Sequence, residues 1–318
     1  MSKIIIGIHG LGNKPPKQNL SDLWQKNIIW CLEKYNYSKF NFDFELVYWA
    51  DILHPVPLNP EDYVPILDKN ESLSGKTQFL SELPELRIKA KEYLEKFYGK
   101  ILVNEVLSLK YPSFTDLFIH LNMRDLEKYY SSFYVINDGL KRLAKDAIID
   151  RLSGMLSKHK GKEILLISHS MGSIISHDTL INDSTHVHID TLVTLGSPLG
   201  QKYVLNKLLD DQKNNIVNKL RVPENVKRNW YNLSDLEDQV ALNHLLSEIY
   251  VPNSKKVKIK DMLVQNNFLN NGVRNPHSVY GYLRTQEIAE IINSFLSAKK
   301  FNLLGWFNFT RKNKLLSL

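Results

Sequence analysis

The sequence predicts an α/β protein built on a mainly parallel sheet. Three observations point there. The chain opens with a strand, a helix and a strand between Lys3 and Trp49. An apolar run, Ile164 to Ile167, passes straight into a helical pattern beyond Ser170. Two more apolar runs of strand length, Ile189 to Leu195 and Asn225 to Leu233, end in turn residues.

Lys3 to His9, KIIIGIH, is the first strand, and Gly10-Leu11-Gly12-Asn13 and Pro15-Pro16 follow it. Three readings compete for the glycines. A dinucleotide loop needs G-x-G-x-x-G, but Gly7, Gly10 and Gly12 space as G-x-x-G-x-G. A phosphate loop needs Gly-Lys-Ser/Thr, which this turn lacks; Gly75-Lys76-Thr77 has that tail, but Asn70 holds the first glycine position and no strand precedes it. The third reading is a strand ending in His-Gly whose next N–H can serve an oxyanion. That reading is favoured, against a glycine turn with no function. Leu20 to Tyr35 follows as a helix, with Leu20, Leu23, Trp24, Ile28 and Cys31 at helical spacing and Asn19 or Ser21 as cap. Phe42 to Trp49 reads as the second strand.

The rhythm then breaks. Residues 53–132 open on HPVPLNP and carry a long helical pattern from Ser81 to Leu109. They read as a mainly helical insertion, either a lid over a site or extra scaffold. Residues 1–52 and 133–298 are then the core, and 299–318 a tail. Ile136 to His159 is helical. Glu163 onward is the strand–turn–helix that carries Ser170, with Ser168 and Gly172 two residues to either side. A nucleophilic serine needs such a corner: its hydroxyl must stand clear and its flanking neighbours must be small. The following helix aims its first N–H groups at the same spot. The competing reading is an ordinary serine capping a helix. Ser197, in Gly196-Ser197-Pro198, leaves no helix N-terminus behind it and reads as structural. Val257 to Leu263 is one more strand, and Val279 to Leu296 a closing helix.

Composition narrows the function classes. At 43% hydrophobic residues the chain is globular with a real core. A single cysteine, Cys31, rules out an internal disulfide and favours a reducing compartment. The apolar run at the N-terminus is too short for a signal peptide, and no stretch approaches the roughly 20 apolar residues of a membrane span. A cytoplasmic protein is expected. A net charge of +7 is mild for this length, and with no zinc-finger, homeodomain or RNA-recognition signature no nucleic-acid partner is expected.

A serine nucleophile needs a base and an acid to orient it. Among the ten histidines, only His244 and His277 follow both Ser170 and an acid near a strand end. His244 falls inside a helical pattern, Val240 to Ile249, close to the acids; His277 sits in a loop before the last helix and is favoured. For the acid, Asp235 and Asp238 both follow the strand ending at Leu233. Asp238 is favoured because Val240-Ala241 can anchor its turn; the other then acts as a cap or turn aspartate.

Together IIIGIHGLGN, ILLISHSMG, DTLVTLGSPLG, NWYNLSDLEDQVA and NPHSVYGYL resemble the α/β-hydrolase superfamily, in particular its lipase- and esterase-like serine hydrolases. The resemblance covers the chain except the insertion and the tail. It implies a parallel sheet with helices on both faces and a helical cap. It implies Ser170 as nucleophile, Asp238 as acid and His277 as base, with oxyanion donors at the N–H groups of Leu11 and Met171. Ser168 departs from the family, where glycine is usual. The chain also starts at the family's oxyanion strand, so the family's first two strands are expected to be missing.

The expected reaction is hydrolysis of small-molecule or lipid-like carboxylic esters through an acyl-enzyme, with no metal and no cofactor. A non-catalytic binding scaffold of the same fold, and acyl transfer to an acceptor other than water, are the rivals. The tail, KKFNLLGWFNFTRKNKLLSL, is basic and aromatic with no acids. It reads either as a peripheral membrane contact or as a segment that packs on the domain or is disordered. Oligomeric state and acyl length are not readable.

Overall fold

The computed structural model describes residues 2–37, 41–63, 78–79, 125–135, 141–182, 187–211, 220–241, 243–270 and 273–298. Six parallel strands cross its centre: β1 (Lys3–Ile8), β2 (Asp43–Val47), β3 (Glu163–His169), β4 (Ile189–Leu195), β5 (Val226–Ser234) and β6 (Ile259–Leu263). Their order is β2-β1-β3-β4-β5-β6, and Gln78–Phe79 pairs antiparallel outside β6. The helices used below are α1 (Lys17–Lys34), α2 (Ala144–Lys158), α3 (Met171–Asn182), α4 (Lys202–Asp211), α5 (Val279–Tyr282) and α6 (Gln286–Ser297).

The near-continuous apolar runs of β1 and β3 follow from burial on both faces. Alternation sends Ile4, Ile6, Ile164 and Leu166 to one face, where they pack with Ile148 and Leu152 of α2 and Ile174 and Ile175 of α3. Ile5, Leu165, Ile167 and Val193 face the other way, onto Trp24 and Ile28 of α1 and Ile288 and Ile292 of α6. Helices therefore cover both faces, as the resemblance implies. The register pairs Ile8 with Ser168, His169 with Leu195, and Leu195 with Leu233. The carboxyl ends of β1, β3, β4 and β5 are thus level, and the turns after them meet on one edge of the sheet.

Several boundaries differ from the sequence reading. Helix α1 begins at Lys17 behind Pro16, ahead of the expected Asn19 or Ser21 cap. The helix expected from Ile136 starts only at Ala144, because Phe133–Val135 and Lys141–Leu143 pair as antiparallel strands. The strand expected from Val257 starts at Ile259. The closing helix is two: at Thr285 the backbone turns extended, and the Thr285 hydroxyl bonds the Tyr282 carbonyl at 2.9 Å. Of the insertion 53–132, residues 53–63, 78–79 and 125–132 are described, and 125–131 are helical, with Leu126 and Tyr129 buried. The Ser81–Leu109 pattern and the tail 299–318 lie outside the described residues. No described helix is long and apolar enough to cross a membrane.

Candidate active site

Ser170 stands on the corner between β3 and α3 with φ of 53°, a left-handed backbone that a serine adopts only when its surroundings enforce it. Its N–H donates to the Leu195 carbonyl at 2.9 Å, and its own carbonyl accepts from Ser173 N at 2.9 Å. The corner is tight. A methyl carbon on Gly172 would come within 2.7 Å of the Ile8 carbonyl oxygen, so glycine is what lets α3 start against the end of β1. At the other flank Ser168 is accommodated by a hydrogen bond from hydroxyl to hydroxyl, 2.7 Å to Ser176.

The His277 ring reaches across from the loop after β6. Its Nε2 is 3.0 Å from Ser170 Oγ, and its Nδ1 is 2.9 Å from both carboxylate oxygens of Asp238. Asp238 is fully buried and accepts further bonds from the Tyr282 hydroxyl at 2.6 Å and from Val240 N at 2.9 Å. Burial opposes its charge, but the His277 ring, the Tyr282 hydroxyl and the Val240 N–H outweigh it and hold the carboxyl below its usual value.

Asp235, three residues earlier, does not join them. It accepts from Asn266 N at 2.6 Å and Glu237 N at 2.9 Å and pairs with Arg274 at 2.7 Å. Burial nonetheless pushes its carboxyl up to about 6. Asn266 in turn donates to the carbonyls of Pro276 and Ser278, on either side of His277. Asp235 therefore supports the loop that carries the imidazole, not the imidazole itself.

His244 is not brought to Ser170. It is buried, and neither ring nitrogen has a hydrogen-bond partner among the described residues. Burial lowers its pKa to about 4 and keeps it neutral. The helix expected around it is confined to Leu246–Ile249. Before it, the Asp238 and Asn243 side chains accept the N–H groups of Val240 and Leu245, which competes with helix formation.

The turn after β1 lies against the serine. A methyl carbon on Gly10 would fall 2.7 Å from Ser170 Cβ. His9 sets the orientation of this turn. Its Nε2 accepts from Trp49 N at 3.1 Å, so Nδ1 carries the proton and donates to the Gly10 carbonyl at 2.8 Å. Burial first, then the charge of Lys14, lowers the pKa of His9 well below normal, in keeping with that neutral form. The Gly10–Leu11 peptide is trans, so the Leu11 N–H points away from the carbonyl that His9 holds. Lys14 bonds the Leu11 carbonyl, and Gly12 N donates to Asp125 at 3.2 Å. The Leu11 N–H has no acceptor among the described residues. Met171 N–H, at the first position of α3, has none within its helix.

A cavity of about 310 Å³ opens against Ser170 and His277, walled by Leu11, Lys14, Trp24, Tyr63, Phe268 and Tyr280. Its volume is at the small end of ligand pockets. Among the described residues no cluster of His, Cys, Asp or Glu could hold a metal ion.

Residues 125–289, just over half of the chain, match the family described as PGAP1-like alpha/beta domain. The chain belongs to that family. The matched span of this PGAP1-like chain holds Ser170, Asp238 and His277, while β1 and β2 precede it and complete the same sheet. A solved structure described as a lipase-esterase related protein from Clostridium acetobutylicum ATCC 824 is similar at 11% identity, over 92% of this chain and 94% of that one, with a TM-score of 0.36. No curated protein matches the chain.

Sequence reasoning passed over Tyr282, Asn266, Arg274 and His169. Tyr282 and His169 lie within the quoted motifs, but only the fold shows what their side chains touch. Asn266 and Arg274 carry no local signal.

Proposed function

We propose that this PGAP1-like chain is a serine hydrolase of carboxylic esters. The observation that carries the reading is the His277 ring, within hydrogen-bond reach of Ser170 Oγ on one nitrogen and of Asp238 on the other. Asp238 keeps the Nδ1 proton in place, which leaves the Nε2 lone pair facing the hydroxyl. Nε2 takes the proton of Ser170 as Oγ bonds to the acyl carbon. The carbonyl oxygen becomes an oxyanion beside the N–H groups of Leu11 and Met171, each such donor being worth about 10²–10³ in rate. The tetrahedral intermediate collapses, the ester C–O bond breaks, and Nε2 returns the proton to the departing alcohol oxygen. Water, deprotonated by the same nitrogen, then adds to the acyl-enzyme and releases the acid and Ser170.

The volume of the cavity favours an acyl group of modest size. Turnover of p-nitrophenyl esters of graded chain length, with Ser170→Ala as control, tests the reading. Hydrolysis that falls off for long acyl chains and vanishes in the variant supports it. Equal turnover by wild type and variant sinks it.

A further inference from the structure

His169 precedes Ser170 on β3, and no step of the proposed reaction uses its buried ring. Its Nε2 lies 2.9 Å from the backbone carbonyl oxygen of His277. A carbonyl can only accept, so Nε2 carries the proton and donates. The two rings stand 4.8 Å apart, tilted by 35°. The other nitrogen faces the turn after β1: a methyl carbon on Gly10 would come within 3.0 Å of Nδ1. One imidazole thus touches the serine's own strand, the Gly10 turn and the main chain of His277.

The loop around His277 has other supports at neighbouring groups. Asn266 bonds the carbonyls on either side, and Asn275 Oδ1 accepts from His277 N at 3.1 Å. We propose that His169 is a positioning residue, whose Nε2–H fixes the His277 main chain so that the imidazole lies between Asp238 and Ser170. The inference rests on the serine-hydrolase reading above. Burial, and then the neighbouring His277 ring, push the pKa of His169 well below normal. It therefore donates as a neutral ring and adds no charge against the imidazolium that forms during turnover.

Three variants separate positioning from bulk. Glutamine carries its amide nitrogen as many bonds from Cα as Nε2, whereas asparagine reaches only as far as Nδ1 and leucine donates nothing. His169→Leu and His169→Asn should lose roughly 10–10²-fold in kcat on a p-nitrophenyl ester with little change in KM, and His169→Gln should recover most of the loss. In parallel, the low-field proton resonance of His277 Nδ1–H, assigned by its loss in Asp238→Asn, should move in the Leu and Asn variants and stay in place in Gln. Wild-type kcat and an unmoved resonance in His169→Leu overturn the proposal. So does a Gln variant that falls as far as Leu, or a thermal midpoint that drops equally in all three with parallel losses of activity. An inactive wild type whose resonance still follows this pattern would instead count against the hydrolase reading and leave the positioning role standing.

Discussion

The hydroxyl of Ser168 lies 2.7 Å from that of Ser176, and both residues are fully buried. This pair explains how an elbow built as S-H-S-M-G tolerates serine where glycine is usual. The extra hydroxyl does not crowd the corner; it is turned into α3 and satisfied there. A lone buried hydroxyl costs about 1–3 kcal/mol. Ser168→Ala and Ser176→Ala should each destabilise the fold by roughly that amount in urea denaturation, and the double variant by clearly less than the sum of the two. Additive losses would mean that the two hydroxyls do not depend on each other.

Asp235 and Asp238 should titrate in opposite senses. The folded Asp235 carboxyl takes up its proton near 6, against 3.8 for the ordinary group. Its contribution to stability is full below the lower value and is lost as pH rises through the upper one. Asp238, whose value is depressed, contributes above 3.8 and loses that contribution as pH falls through its folded value. Asp235→Asn should therefore gain stability relative to wild type as pH rises from about 4 to about 7. Urea denaturation across that range checks it, and a difference that does not vary with pH contradicts it.

Gly281 makes room for the side chain that holds the His277 loop. A methyl carbon there would fall 1.6 Å from Asn266 Oδ1 and 2.5 Å from its Cγ. Gly281→Ala should cost about 1–3 kcal/mol by overpacking. Because Asn266 must move, the rate of phosphonylation of Ser170 should also fall, by roughly tenfold. In an Asn266→Ala background the same glycine change should be much milder. Equal effects in both backgrounds would remove Asn266 as the cause.

The central strands and the Ser170 corner were legible because each is written locally, as an apolar run or as small residues around a turn. His277 was reachable by elimination from chain order. The choice between Asp235 and Asp238 was only weakly written, since both follow β5 within four residues of its end and only the Val240-Ala241 pair favoured Asp238. What separates them is Tyr282 and Asn266, far along the chain. The helix boundaries failed where side chains compete with the ladder: Thr285 divides the closing helix, and Asp238 and Asn243 shorten the one near His244. The Ser81–Leu109 pattern of the expected cap and the aromatic tail fall outside the described residues.

The most direct test of the central claim is intact-mass analysis after exposure to a fluorophosphonate. The account predicts one adduct per chain, mapped to Ser170, absent from Ser170→Ala and strongly slowed in His277→Ala. No adduct on folded wild type while a known serine esterase reacts alongside, or an adduct that persists in Ser170→Ala, would contradict it.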